Sequence, residues 1–188
     1  MFTIIDTPFS GLKLIDPLVH GDARGYFFEA WKKSFFEETG LDCEFIQDNE
    51  SRSAYGVVRG LHWQAAPYAQ TKLLRVVTGR ILDVVVDLRQ AEPTFGKHFA
   101  VELSGENHRQ FLIPKGFAHG FAVLSESAVV NYKVDAPWVR EAERCLRFDD
   151  TTLGIELPVP AGERVLSPKD AQGMSWKELL EKREGFPE

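Results

Sequence analysis

The sequence has no excess of positive charge and no long apolar run. Its 28 acidic residues outnumber its 22 lysines and arginines in a chain of 188 residues, which gives a formal net charge of −6. A net negative chain is not attracted electrostatically to the phosphate backbone of a nucleic acid, so we expect no nucleic-acid partner. No stretch reaches the roughly 20 apolar residues of a membrane span. The opening MFTIIDTPFSG also lacks the basic start of a signal peptide, so we expect a cytoplasmic protein without a membrane partner.

Cysteine and closely spaced histidine are scarce as well. Cys43 and Cys145 stand far apart and outside any CxxC or metal-binding spacing, and we expect both to be reduced thiols. No His-x-His pair occurs, whereas zinc and iron sites need three or four ligands close together. Because His62 and His119 alone are too few, the sequence predicts neither a metal nor another cofactor.

Alternation of apolar and polar residues dominates the pattern. In RILDVVVDLR (80–89), the even-numbered positions from Leu82 to Leu88 are apolar, whereas the odd-numbered positions include Asp83 and Asp87. This period of two indicates a strand with one core face and one wetter or cavity-lining face, and KHFAVELS (97–104) alternates similarly. Further β-rich runs are predicted at 11–15, 25–31, 44–50, 56–63, 72–77, 110–113, 120–124 and 127–133. Many short strands with turn signals between them predict an all-β sandwich or barrel in one domain, 1–188.

Helix is predicted in two places. KKSFFEETG (32–40) ends in Gly40, a residue suited to terminating a helix. SWKELLEKREG (175–185) begins with Ser175 and carries Glu178 three residues later, which is the capping-box spacing. The second helix forms a helical tail of about 175–188 on the β domain.

In the stretch GVVRGLHWQ (56–64), the directions in which the Arg59 and His62 side chains point have to be decided. In a regular strand, Arg59 and His62 point to opposite faces because they are an odd number of residues apart. Gly60 between them is suited to a bend or bulge that brings both side chains into one cavity. The alternative is a surface arginine beside a core histidine.

A resemblance to known proteins rests on several motifs. IPKGFAHGF (113–121) places proline, glycine and histidine in a short β-turn-β context, and it resembles the second motif of the cupins, which are jelly-roll barrels. The further motifs, in chain order, are DARGYFFE (22–29), QDNESRS (47–53), VVRGLHWQ (57–64), TKLLRVVTGRILDVVVDLR (71–89), PTFGKH (93–98), IPKGFAHGFAVLSE (113–126), YK (132–133), ERCLRFDD (143–150) and LSPKDAQG (166–173). Together they resemble the dTDP-4-dehydrorhamnose 3,5-epimerase family over about residues 1–175.

The resemblance implies a fold and an activity. The fold is a metal-free cupin-type jelly-roll barrel with a few short peripheral helices, and the assembly is a homodimer. The activity inverts the carbons on either side of the 4-keto group in a deoxyhexose attached to dTDP. The β-rich segment around 22–31 could then add to the partner's sheet and carry Arg24 and Glu29 into the neighbouring site.

Four catalytic residues follow from the resemblance, and their chemistry suits the reaction. His62 is the base, because an ordinary imidazole has a pKa of about 6.5, and Asp170 holds its tautomer. Lys72 stabilises the enolate oxygen. Tyr132 is the acid on the opposite face, because a phenol with a pKa near 10 is protonated at neutral pH.

Substrate contacts are implied for ten further positions. Cations suit the diphosphate, because a guanidinium makes paired hydrogen bonds to phosphate, and carboxylates can accept bonds from sugar hydroxyl or base N–H groups. Trp138 stands where the family commonly places a tyrosine that stacks on thymine, and its indole keeps the flat face but lacks the hydroxyl. The set is Arg24, Glu29, Gln47, Asp48, Asn49, Arg59, His119, Trp138, Glu143 and Lys169.

Two alternatives stay open at this point. One is an epimerase of a deoxysugar pathway that inverts a single centre, C3 or C5 only, and the change at Trp138 is of the kind that separates such relatives. The other is a non-catalytic cupin that binds a nucleotide sugar. The joint presence of His62, Lys72, Tyr132 and Asp170 argues against the second alternative.

Overall fold

The structure is a computed structural model that describes residues 2–41 and 43–182. Its strands are β1 (Phe2–Asp6), β2 (Lys13–Pro17), β3 (His20–Asp22), β4 (Gly25–Phe27), β5 (Gln47–Ala54), β6 (Val58–Gln64), β7 (Lys72–Thr78), β8 (Arg80–Asp87), β9 (His98–Ser104), β10 (Gln110–Ile113), β11 (Phe117–Val123), β12 (Ser127–Val134) and β13 (Glu143–Cys145). Its helices are α1 (Lys33–Glu38), α2 (Pro168–Ala171) and α3 (Trp176–Lys182), with 3-10 turns at Arg140–Ala142 and Ala161–Glu163. No helix in these described ranges combines the length and hydropathy needed to cross a membrane.

Two antiparallel sheets form the body of the molecule. One has the strand order β1-β2-β10-β7-β12-β5, and the other has the order β13-β6-β11-β8-β9. Strands β3 and β4 form a separate hairpin. Because spatial neighbours such as β2 and β10 are distant in sequence, the chain crosses repeatedly between the sheets, as in a jelly roll. The predicted all-β, cupin-type fold is confirmed.

Strand β8 is buried on both faces, which differs from the predicted core face and wetter face. Ile81 and Val85 pack between the two sheets. Val84 and Val86 pack on the other side, against a cluster that includes Leu146 and Trp176 from the C-terminal part of the chain. The odd-numbered face also carries Asp83 and Asp87, and both are completely buried.

Both predicted helices are present, and their ends form as expected. At the end of α1, Gly40 has φ +71°, and the Leu41 N–H donates to Phe36 O at 3.0 Å, which is the glycine-terminated helix end that the sequence predicts. Before α3, the Ser175 N–H donates to Glu178 at 2.7 Å, and the Glu178 N–H donates to Ser175 Oγ at 3.2 Å. These reciprocal bonds form the capping box. The predicted tail beyond residue 182 lies outside the described residues.

Some element bounds differ from prediction. Strands β1, β3 and β13 were not predicted, and β4 is shorter than the predicted run 25–31. Strand β5 begins and ends later than the predicted run 44–50. Helix α2 was also missed, although Ser167 caps it and Pro168 occupies its first turn, which are recognisable start signals.

A bulge at Gly60 makes the side chains of Arg59 and His62 on β6 point to the same side. In the pairing with β11, His62 lies opposite His119 and Arg59 lies opposite Phe121, so two residues of β6 face the single Gly120. This bulge shifts the alternation by one residue, and Arg59 and His62 consequently line the same cavity. Gly60 has φ +107°, and a Cβ there would lie 2.6 Å from His119 O.

We expect the substitution Gly60→Ala to lower the free energy of unfolding by more than about 2 kcal/mol, because it adds a backbone clash to an unfavourable φ. Urea unfolding followed by circular dichroism measures this change. Gly162→Ala is the matched control, because its Cβ would meet no atom within 4 Å and its φ is ordinary. Equal stability of the two variants would show that β6 tolerates a side chain at the bulge.

Candidate active site

A cavity of about 320 Å³ lies between the two sheets. Strands β6, β7, β11 and β12 supply its walls, and the segments that contain β13 and α2 supply further lining residues. All four predicted catalytic residues line this cavity. Five of the predicted binding residues line it with them: Arg59, His119, Trp138, Glu143 and Lys169.

His62 and Asp170 are directly hydrogen-bonded through the imidazole Nε2 and the carboxylate Oδ1. Asp170 is buried in α2, and its other oxygen accepts a hydrogen bond from the Ser167 hydroxyl at 2.7 Å. Burial opposes ionisation of this carboxyl, but the hydrogen bonds from His62 and Ser167 hold the pKa of Asp170 below its ordinary value. The pair is therefore an imidazole oriented by a carboxylate.

Cys145 lies beside this pair, and its Sγ is 3.7 Å from Asp170 Oδ1. The possible ligand atoms of His62, Cys145 and Asp170 lie within 4.8 Å of one another. Zinc takes such donors, but an ion about 2 Å from each ligand cannot fit between a ring nitrogen and a carboxylate oxygen already in direct contact. Burial and Asp170 raise the pKa of the Cys145 thiol to about 12, so it acts as a weak S–H donor. Outside the cavity, burial and Asp135 likewise raise the pKa of Cys43 to about 12.

Tyr132 enters the cavity from the opposite sheet. It lies on β12, whereas His62 lies on β6. Burial raises the pKa of the phenol, although the charge of Arg59 opposes this shift. Tyr132 is therefore protonated at neutral pH, and a ring held in the cavity has an imidazole in one wall and a phenol in another.

A buried charge cluster adjoins them. Asp83 is completely buried, and its two oxygens lie 2.9 and 3.1 Å from His119 Nε2. Burial lowers the pKa of Lys72 to about 8, although the charges of Asp83 and Glu143 oppose the shift. Burial also raises the pKa of Asp83 and lowers that of His119, and in each case their mutual contact opposes the shift. Lys72 is thus an ammonium at pH 7 in surroundings that penalise its charge.

The mouth of the cavity carries charges and one indole. Lys169 donates to Glu143 at 2.8 Å, and Trp138, which is 55% exposed, donates its indole N–H to the same carboxylate. Burial opposes ionisation of Glu143, but these bonds hold its pKa below the ordinary value. Arg59 Nε donates to the buried Ser53 hydroxyl at 2.9 Å. This bond orients the guanidinium beside the cavity.

Five predicted binding residues do not line the cavity. Arg24 lies in the β3–β4 hairpin and pairs with Asp22, its side chain 90% exposed, and Glu29 follows the hairpin and lies 3.5 Å from Lys32. The other three lie on β5: Gln47, Asp48 and Asn49.

The three predicted residues on β5 lie on two different faces of the sheet. Asn49 lies directly opposite Tyr132 and so shares its face, and Gln47 donates to Asn49 at 2.7 Å on that face. Asp48 lies opposite Lys133 and pairs with it at 2.7 Å on the other face of the sheet. Three consecutive strand residues cannot share one face, so the period of two alone turns Asp48 away from Gln47 and Asn49.

Sequence reasoning missed other residues of the cavity. Asp83 does not line the cavity itself but hydrogen-bonds the lining residue His119. It carried a signal, since an acidic residue in a strand that is otherwise almost wholly apolar indicates a buried polar contact. Ser51 follows from the alternation of β5 once Asn49 is placed. Gln64 and Gln70 carried no signal, because their hydrogen bonds run to backbone atoms as much as 73 residues away.

Comparison with known proteins gives one consistent result. A sequence model described as dTDP-4-dehydrorhamnose 3,5-epimerase matches residues 6–178. The chain is 46% identical to an enzyme of that name from Shigella flexneri, over 92% of this chain and 95% of the relative. It is similar to a dTDP-6-deoxy-D-glucose-3,5-epimerase from Legionella pneumophila, solved with dTDP-4-keto-L-rhamnose, at TM-score 0.91 and 44% identity over 97% and 96% of the two chains.

A third solved structure differs in activity. A 3'-monoepimerase from Streptomyces bikiniensis, in complex with dTDP-quinovose, has a TM-score of 0.87 and 30% identity, covering 94% of this chain and 90% of that one. The fold is therefore shared by proteins that invert different numbers of centres.

We expect Lys72→Met to raise the free energy of unfolding at pH 7 by about 2 kcal/mol. The pKa of Lys72 is about 8 in the fold against 10.5 as its reference value. The unfolded chain therefore binds more protons between these values, so stability rises with pH across that range, and the buried ammonium destabilises the fold below it. Urea unfolding at pH 7 and pH 10 tests this prediction, and the advantage of the variant should shrink at pH 10.

Lys133→Met is the matched control, because this lysine pairs with Asp48 on the outer face of the sheet. The control should show no gain in stability at either pH. Destabilisation by Lys72→Met at pH 7 would instead mean that its attraction to Asp83 and Glu143 outweighs the loss of hydration.

Proposed function

Since this chain belongs to the dTDP-4-dehydrorhamnose 3,5-epimerase family, it is an isomerase, and we propose that it inverts C3 and C5 of dTDP-4-dehydro-6-deoxyglucose to give dTDP-4-dehydro-L-rhamnose. One observation carries the assignment of roles. His62 and Tyr132 line one cavity from opposite sheets, and Lys72 lines the same cavity. Inversion beside a ketone needs this combination of a base, an acid and a cation.

His62 is the proposed base. If Nε2–H donates to the ionised Asp170, the lone pair of the ring lies on Nδ1. That nitrogen takes the proton from the carbon beside the ketone, and the imidazolium that forms is stabilised by the adjacent carboxylate. The Ser167 hydroxyl donates to the carboxylate and accepts the backbone N–H of Asp170, so the carboxylate and the imidazole it binds are held in one orientation.

Lys72 is the proposed partner of the enolate oxygen. Removing a proton beside the ketone moves an electron pair onto that oxygen, which becomes negative. A half-buried ammonium is stabilised by this new charge more than by the neutral ketone, which is the differential interaction that accelerates a step. Burial lowers the pKa of Lys72 to about 8 although the charges of Asp83 and Glu143 oppose the shift, so a further negative charge on the enolate oxygen would stabilise the ammonium.

Tyr132 is the proposed acid. Its phenol delivers a proton to the face of the carbon opposite His62, the enolate returns to the ketone, and the configuration is inverted. The nearby Arg59 charge stabilises the transient phenolate. Proton exchange with water then restores the phenol and the neutral imidazole, so the isomerisation consumes no other reactant.

The cavity mouth is the proposed site of the nucleotide. Arg59 and Lys169 meet the diphosphate, and Trp138 stacks on the thymine. The apolar, exposed rings of Tyr26 and Phe27 on the hairpin support burial against a second copy of the chain, because such patches are rarely left in water. In that homodimer, Arg24 and Glu29 act in the partner's site.

Inversion at a single centre is the second candidate. The similarity to the Streptomyces bikiniensis 3'-monoepimerase supports it, because the shared fold alone does not fix the number of inversions. A protein that only binds the nucleotide sugar is the third. The free thiols Cys43 and Cys145 fit a cytoplasmic location for any of these activities.

We expect turnover in D2O to place deuterium at both C3 and C5, as read by proton NMR of the sugar. Exchange at one carbon only would establish the single-centre alternative.

His62→Asn should lower the rate of epimerisation about a hundredfold to ten-thousandfold while the affinity for dTDP stays within about twofold, because the substitution removes the base and leaves the cavity mouth intact. His98→Asn is the matched control outside the cavity, where the imidazole bonds Leu153 O. A wild-type protein that binds dTDP but exchanges no sugar proton would be the non-catalytic protein of the third candidate function.

A mixed-dimer experiment tests the sharing of Arg24. Arg24→Ala and His62→Asn should each be nearly inactive alone. After the two are unfolded and refolded together in equal amounts, activity should return to roughly a quarter of wild type, because half the dimers are mixed and each holds one complete site. No recovery, with mixed dimers verified by mass spectrometry, would place Arg24 in its own chain's site or outside any site.

A further inference from the structure

Gln64 is a buried amide whose hydrogen bonds leave its own strand. It ends β6 and is 4% exposed. Its Nε2 donates to Tyr68 O at 2.8 Å and to Pro137 O at 3.0 Å, and its Oε1 accepts the Val139 N–H at 2.5 Å. Both donors of the amide and one acceptor position are thus used on backbone groups.

Two of these bonds lie on either side of Trp138. The carbonyl of Pro137 and the N–H of Val139 flank this residue in the chain, so Gln64 holds the backbone that carries the indole. The same segment is held further back, where Gln70 Nε2 donates to Ala136 O at 2.7 Å. An exposed ring at the cavity mouth therefore stands on a fixed backbone.

The end of β6 also places the carboxylate that contacts the indole. Glu143 lies directly opposite Gln64 in the pairing of β13 with β6. The Glu143 carboxylate accepts the indole N–H of Trp138 and the ammonium of Lys169. The backbone and the N–H edge of the indole are consequently both placed from the end of β6.

We propose that Gln64 is a positioning residue for the nucleobase, acting through Trp138. The inference deepens the proposed function and depends on it, because the base has to stack on this ring. A ring held in its binding orientation loses less conformational freedom when a ligand arrives. Gln64 therefore contributes to affinity for the nucleotide and not to proton transfer at His62 or Tyr132.

A double-mutant cycle on dTDP binding tests the proposal. Isothermal titration measures the dissociation constant for wild type, Gln64→Met, Trp138→Ala and the double variant. Trp138→Ala should raise the constant about tenfold, the range of one base stacked on an aromatic ring. Gln64→Met should raise it by a similar factor, and the double variant should be no weaker than Trp138→Ala. The kcat of Gln64→Met should stay within about twofold while KM rises.

Effects of the two changes that multiply in the double variant would overturn the proposal, as would a loss of kcat with unchanged KM. Gln70→Met gives a second reading should Gln64→Met fail to fold, because it removes a single bond to the same segment. Its smaller increase in the dissociation constant should also vanish when Trp138 is alanine, and an increase that persists there would count against the proposal.

The proposed function fails separately from this inference. A wild-type chain that binds no dTDP and exchanges no sugar proton overturns both. A wild-type chain that binds and epimerises, but whose cycle shows independent effects, overturns only the role of Gln64.

Discussion

The hydrogen bond between His62 and Asp170 joins parts of the chain that are 108 residues apart. It brings the end of the jelly roll, through α2, against the strand that carries the proposed base. The same C-terminal part covers the outer face of β8 through Leu146 and Trp176. The imidazole of His62 is therefore oriented only when the last third of the chain has packed on the second sheet. The contact thus couples folding to the geometry of the proposed base.

Buried charge distinguishes the cavity from the core around it. Lys72, Asp83 and His119 lie among strands whose other inward side chains are largely apolar. Each is perturbed by burial in the direction that disfavours its charge. A core made only for stability would replace them with apolar residues of similar volume. The proposed reaction, in which negative charge develops beside Lys72, would account for their presence.

The sequence predicted most strands of the two sheets but missed the peripheral strands β1, β3 and β13. It also mistook one covered face of β8 for a wetter face. On β8 the alternation was correct, but the cover from the C-terminal segment is a long-range contact that no local period contains. The bulge at Gly60 was foreseen because glycine between two polar residues is a local signal. Asp48 was assigned with its neighbours, although the period of two already separated it from them. The role of Gln64 could not be predicted, because its hydrogen-bond partners come close to it only in the folded barrel.

The raised pKa values of the two native thiols have a practical consequence for labelling. The thiolate is the form that attacks alkylating and oxidising reagents, and the pKa of about 12 at Cys43 and at Cys145 keeps that form scarce at neutral pH. A new cysteine engineered on the hairpin or near Trp138 would be modified far faster than either native one. Dyes and spin labels can thus report on the cavity mouth without first removing the natural sulfhydryls.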